Sequence, residues 1–104
     1  MNIKLSHSEM LSICSLVSNA RETFQKQYED GKMEMEDKLY KAVFDEMYIK
    51  LLKKSLEVQK SYRIEFKPSW AIAFHVQFAG FVDRSTFEGN LAQGICDRIH
   101  QQFI

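Results

Sequence analysis

The sequence predicts an α+β fold, predominantly helical, in the order strand, helix, helix, strand, helix, helix, with the strands forming a small two-stranded sheet. Three observations predict it. Apolar residues recur at three- and four-residue steps through most of the chain, two short stretches alternate apolar with polar instead, and only four Gly and one Pro interrupt 104 residues. So few turn formers favour long helices over many short strands. The competing arrangement is an N-terminal helical hairpin followed by a β-hairpin and one closing helix.

Residues 1–6 read as extended, because Ile3 and Leu5 alternate with Asn2 and Lys4. Ser6-His7-Ser8-Glu9 then has the pattern of a capping box: the Ser6 hydroxyl accepts from the third helical amide and Glu9 reaches back to Ser6. Behind it, Met10, Ile13, Cys14, Val17, Ala20, Phe24 and Tyr28 fall on one face of a helix over residues 7–29, ended by Asp30-Gly31. A second helix begins near Met33. Its first turn carries Glu34, Glu36 and Asp37 and its end carries Lys50, Lys53 and Lys54, both suited to the helix dipole. Leu39, Val43, Met47 and Leu51 form its core row, while Ile49, Leu52 and Leu56 fall on nearly the opposite side. The short acidic connection makes the two helices an antiparallel hairpin.

Tyr62, Ile64 and Phe66 alternate with Arg63, Glu65 and Lys67, which predicts a half-buried strand over Ser61–Lys67, stopped by Pro68. The following segment is ambiguous. Trp70, Ile72, Phe74, Val76 and Phe78 alternate like a strand, whereas Pro68 suits a first helical position and Ala71, Ala73 and Ala79 favour helix. An internal echo decides for a helix over 69–80: Ile3-Lys4-Leu5-Ser6-His7-Ser8 resembles Ile64-Glu65-Phe66-Lys67-Pro68-Ser69 at an offset of 61. That offset makes the single domain, 1–104, a weak duplication of 1–60 and 61–104. A turn over Gly80–Ser85 leads to a last helix, about Thr86 to Phe103, with Phe87, Leu91, Ile95, Ile99 and Phe103 at four-residue steps. Gly89 and Gly94 weaken it by about 1 kcal/mol each relative to Ala, which is tolerated where another element packs closely. Exposed strand edges add a route to dimerisation.

Fourteen basic and fourteen acidic side chains cancel, so no overall field draws the protein to nucleic acid or anionic lipid. No apolar run suits a signal peptide or a membrane span, and two cysteines make no disulfide framework. A soluble cytoplasmic protein without membrane contact is expected, its thiols free. Phosphate-cradling glycine loops are missing from the sequence.

Four residue sets carry chemistry worth weighing. Cys96 and His100 lie four apart on one helix face, and with His7 and Cys14 would complete the two-Cys, two-His set that zinc prefers, although no CxxC or HxxxH anchors them. The same pair with Asp97 could be a nucleophile and base, but no glycine elbow or oxyanion loop accompanies it. His75 sits in an apolar segment, where a hydrogen-bonded imidazole is the commoner outcome. Lys50, Lys53, Lys54, Lys60, Arg63 and Lys67, near Tyr62, Phe66 and Trp70, form the one stretch with the look of a nucleic-acid footprint.

The surplus apolar side of the second helix, Ile49, Leu52 and Leu56, is the most informative feature. It is either covered by the last helix or open to a partner. The expectation is therefore a non-enzymatic protein-interaction or accessory module, self-associating as a homodimer, with no cofactor. Nucleic-acid binding through 50–67 is the alternative, and a metal or small-molecule site near Cys96 and His100 the second alternative. In its brevity, neutrality and lack of motifs the chain resembles small accessory proteins of bacterial phages and mobile elements, a likeness that assigns no residue a role.

Overall fold

The computed structural model describes residues 1–80 and 82–104; Phe81, within the expected Gly80–Ser85 turn, lies outside the described residues. Its elements are β1 (Asn2–Ser6), α1 (His7–Glu29), α2 (Met35–Ser55), β2 (Ser61–Glu65), α3 (Pro68–Phe78) and α4 (Phe87–Phe103). The fold is α+β and predominantly helical, and 68–78 is a helix, so the β-hairpin alternative fails. The strict alternation of Trp70 to Phe78 misleads because Ile72 and Val76 are apolar yet about half exposed, while the buried residues, Trp70, Ala71, Ala73, Phe74 and Phe78, follow helical spacing.

β1 and β2 pair antiparallel, with Ile3 opposite Ile64 and Leu5 opposite Tyr62. Each half of the chain runs strand, helix, helix, and Ile3 and Ile64, the residues matched by the offset of 61, face each other across the ladder. Alternation puts Ile3, Leu5, Tyr62 and Ile64 on the core side and Asn2, Lys4, Arg63 and Glu65 toward solvent. Arg63 and Lys4 are consequently directly opposite one another.

The capping box forms as the residues require. Glu9 N–H donates to Ser6 Oγ at 3.2 Å and Ser6 N–H donates to Glu9 Oε1 at 2.8 Å. At the other end of α1, Asp30 caps the helix and Gly31 takes φ +68°, a left-handed conformation that suits glycine. α1 packs along α2 and also touches α4 and both strands, while α3 bridges α2 and α4.

A run of aromatic rings joins these layers. Phe24 of α1 lies 5.6 Å from Phe44 of α2, Phe44 meets Phe78 of α3 edge-on, and Phe78, Phe74, Phe66 and Trp70 follow at 4.6, 5.8 and 5.9 Å. Each buried ring contributes about 2–3 kcal/mol through apolar burial alone. Tyr62 is fully buried beside them, and its hydroxyl donates to the Glu57 carbonyl at 2.7 Å, so no polar atom is stranded.

Three boundaries and two rows differ from the sequence reading. α2 starts at Met35 rather than Met33, β2 stops at Glu65, and α3 ends at Phe78. Leu39 and Phe87, placed on core rows, are 64% and 58% exposed. Four-residue steps overshoot a 3.6-residue turn by about 40° each, so a row of several such steps winds off the core. In α4 the buried set is Gly89, Ala92, Ile95, Cys96 and Ile99 instead.

The two glycines of α4 also separate. A Cβ on Gly89 would overlap the Asp83 carbonyl, whereas at Gly94 nothing lies within 4 Å, so close packing accounts for the first glycine and not for the second. Gly89→Ala should therefore destabilise the fold by about 1–3 kcal/mol through displaced backbone. Gly94→Ala should raise stability by up to about 1 kcal/mol by removing helical glycine. Chemical denaturation of the two variants measures both signs.

Candidate interaction surface

α2 carries apolar residues on two sides. Phe44, Met47 and Leu51 are buried against the core. The other side is left open: Ile49, Leu52 and Leu56 are 47%, 39% and 76% exposed, so the last helix does not cover them. Met35 and Leu39 are exposed on the same helix, as is Ala42. Met35, Leu39, Ala42, Glu46, Ile49, Lys53 and Leu56 are spaced by alternating steps of four and three residues, the seam pattern of a coiled coil. Five of those seven are apolar, and Leu52 lies beside the seam. Sequence reasoning found the C-terminal half of this face and missed Met35, Leu39 and Ala42; the alternating four-and-three spacing was the available signal.

Two consecutive carboxylates tie α2 to its neighbours. Asp45 takes Arg21 Nε of α1 at 2.7 Å and Lys41 Nζ at 2.9 Å. Its partial burial would raise its pKa, but the bonds from Lys41 and Arg21 outweigh that and hold the carboxyl below its ordinary value. Glu46 turns the other way. Its Oε1 accepts from Lys67 Nζ at 2.8 Å, from Trp70 Nε1 at 3.1 Å and from Lys50 Nζ at 3.4 Å. The bonds from Lys67 and Trp70, with the charges of Lys67 and Lys50 around them, hold Glu46 down at about 2.

This arrangement bears directly on the basic stretch. Lys50 and Lys67 share Glu46 and stand over the Trp70 ring at 5.8 and 5.7 Å. Lys54 lies 3.9 Å from Glu57. Lys50, Lys54 and Arg63 do border one shallow cavity of 210 Å³, but Lys53 belongs to the α2 seam and Lys60 to the exposed segment before β2. Tyr62, Phe66 and Trp70 are buried, so none offers a ring for base stacking.

The thiols and imidazoles are not brought together. His7 Nδ1 is 3.1 Å from the Tyr62 hydroxyl, and Cys14 is buried in α1. Burial, with Asp97 adding to it, pushes the buried Cys96 thiol up to about 12, the opposite of what a nucleophile or a ligating thiolate requires. His100 instead stacks on His75 of α3, ring centroids 6.0 Å apart. Among the described residues no group of three or more His, Cys, Asp or Glu side chains is placed to hold a metal ion. No helix of the described residues is long and apolar enough to cross a membrane.

The chain matches no protein-family model, no curated protein and no solved structure.

The depressed Glu46 carboxyl has a pH signature. Because its folded pKa lies below the ordinary 4.5, its stabilising contribution is complete above about pH 4.5 and is lost as pH falls toward about 2. Glu46→Gln should flatten the acid side of the stability profile over that window. Thermal melts of both proteins between these pH values, with the Trp70 indole resonance followed by NMR, check this.

Proposed function

We propose that this protein is a non-enzymatic interaction module that self-associates through the outer face of α2. One observation carries the reading: Ile49, Leu52 and Leu56, joined by Met35 and Leu39, form an exposed apolar stripe that the protein's own elements leave uncovered. Over the 21 residues of α2 such a stripe runs about 30 Å. Scattered exposed apolar residues need no explanation, but apolar residues repeated at seam spacing along one helix face do.

Charge selects the occupant. α2 is acidic at its start, with Glu36 and Asp37 in the first turn, and basic at its end, with Lys53 and Lys54 in the last. Two copies packed antiparallel set each acidic start against the partner's basic end, the self-complementarity a two-fold interface needs. Centred between Asp45 and Glu46, that pairing places Met35 opposite Leu56, Leu39 opposite Leu52 and Ala42 opposite Ile49. Glu46 already has cationic partners at the centre, in Lys50 and Lys67.

Light scattering coupled to size exclusion tests the reading. The wild type should elute as a dimer at micromolar concentration, and Ile49→Asp with Leu56→Asp should be monomeric with unchanged helical circular dichroism. Each truncated apolar contact should weaken dimerisation about tenfold or more. A wild type that stays monomeric, or a double variant that stays dimeric, overturns it.

A further inference from the structure

The outer edge of β1, remote in sequence from α2, combines an open backbone, an apolar floor and unpaired positive charge. Met1 and Phe66 exchange both backbone bonds, Phe66 N–H donating to Met1 at 2.8 Å and the Met1 ammonium donating to Phe66 at 3.2 Å. Antiparallel alternation therefore makes Ile3–Ile64 and Leu5–Tyr62 the bonded pairs, and turns the N–H and C=O of Asn2, Lys4 and Ser6 away from β2. The two flanking positions confirm the direction. Asn2 C=O accepts from Arg98 Nη2 at 2.8 Å, and Ser6 N–H donates to Glu9 at 2.8 Å. Between these plugs the peptide groups of Lys4 face outward with the edge open.

They face a groove of 360 Å³ between β1 and α4. Ile3, Leu5, Leu91 and Ile95 contribute its apolar lining, and Phe87 stands at its side, more than half exposed. Gly94 keeps the helix wall low, since no atom lies within 4 Å of where its Cβ would stand.

The charge around this edge is unbalanced. Lys4 and Arg63 are directly opposite in a non-bonded pair, the closer of the two pair types, and among the described residues neither has a carboxylate within ion-pair distance. Like charges so placed oppose the fold. Among the described residues the Arg98 guanidinium donates to a neutral carbonyl, that of Asn2, and to no carboxylate. Glu65 on the same face is paired with the Met1 ammonium, and Glu9, held by Ser6 N–H, keeps its charge as the single carboxylate of a lining that also carries Lys4 and Arg98.

We propose that β1 accepts an extended acidic peptide segment of a partner protein as a third, antiparallel strand in the groove between β1 and α4. One partner residue exchanges two backbone bonds with Lys4, its apolar neighbours enter the groove beside Leu91 and Phe87, and its carboxylates meet Lys4, Arg63 and Arg98. A second copy of β1 is the wrong occupant, because edge-to-edge pairing would set Lys4 against Lys4. The apolar lining and the open peptide groups favour a peptide over a nucleic-acid strand. This site is independent of the self-association assigned to α2.

Fluorescence anisotropy with a labelled octapeptide alternating Val and Glu tests the proposal, with the Val–Lys octapeptide and a labelled oligothymidylate as comparisons. The Val–Glu peptide should bind and the Val–Lys peptide should not. Lys4→Glu, Gly94→Leu and N-methylation of the peptide's central amides should each weaken binding about tenfold or more. Lys4 and Gly94 are exposed, and circular dichroism should show both variants folded. The proposal is overturned if the Val–Glu peptide does not bind, if the Val–Lys peptide binds equally, if Gly94→Leu and N-methylation leave binding unchanged, or if the oligothymidylate binds more tightly than the peptide.

Discussion

Residues 1–6 and 61–66 are far apart in sequence, and their antiparallel pairing is the constraint on which the rest of the molecule depends. It buries Ile3, Leu5, Tyr62 and Ile64 on one side of a sheet only two strands wide. Such a sheet is marginal by itself and is held by the helices beneath it. The pairing also sets Phe66 under the start of α3, where it joins Trp70 and Phe74 edge-on and extends the aromatic run into α2 and α1. A one-residue slip would turn every inward side chain of one strand to water. Register, core and the open edge of β1 are therefore one decision.

The rotation of α2 is the second fixed quantity. Asp45 and Glu46 are neighbours in sequence, so their side chains point about 100° apart around the helix. One is held by Arg21 of α1 and the other by Lys67 and Trp70 at the start of α3. With Phe44, Met47 and Leu51 buried against the core, Ile49 and Leu56 are left facing outward, and Glu46 lies within that outward seam. In water each pair contributes little. Their effect here is geometric: they tie α2 to α1 and to the start of α3 in the rotation that burial of Phe44, Met47 and Leu51 sets.

Local signals carried much of this into the sequence. The Ser6–Glu9 box, the Asp30-Gly31 stop and the alternation of Tyr62, Ile64 and Phe66 each depend on a few adjacent residues, and each appears in the structure. The echo between Ile3–Ser8 and Ile64–Ser69 resolved α3 where alternation pointed the wrong way. Long-range facts were not legible. Nothing local places Lys4 opposite Arg63, engages Lys67 with Glu46, or buries Trp70. Leu39 and Phe87 were misassigned for a different reason, since rows of four-residue steps drift around a helix. Gly94 needed the fold to show that nothing approaches it.

The account rests most directly on strand register, and solution NMR reads register without reference to function. In a non-bonded antiparallel pair the two Cα hydrogens lie close together, so a strong Overhauser contact should join the α-protons of Lys4 and Arg63. Finding it would fix the inward set, the open peptide groups of Lys4 and the facing cations together. A contact from Lys4 to the α-proton of Tyr62 or Ile64 instead, or none between residues 2–6 and 61–65, would contradict the account.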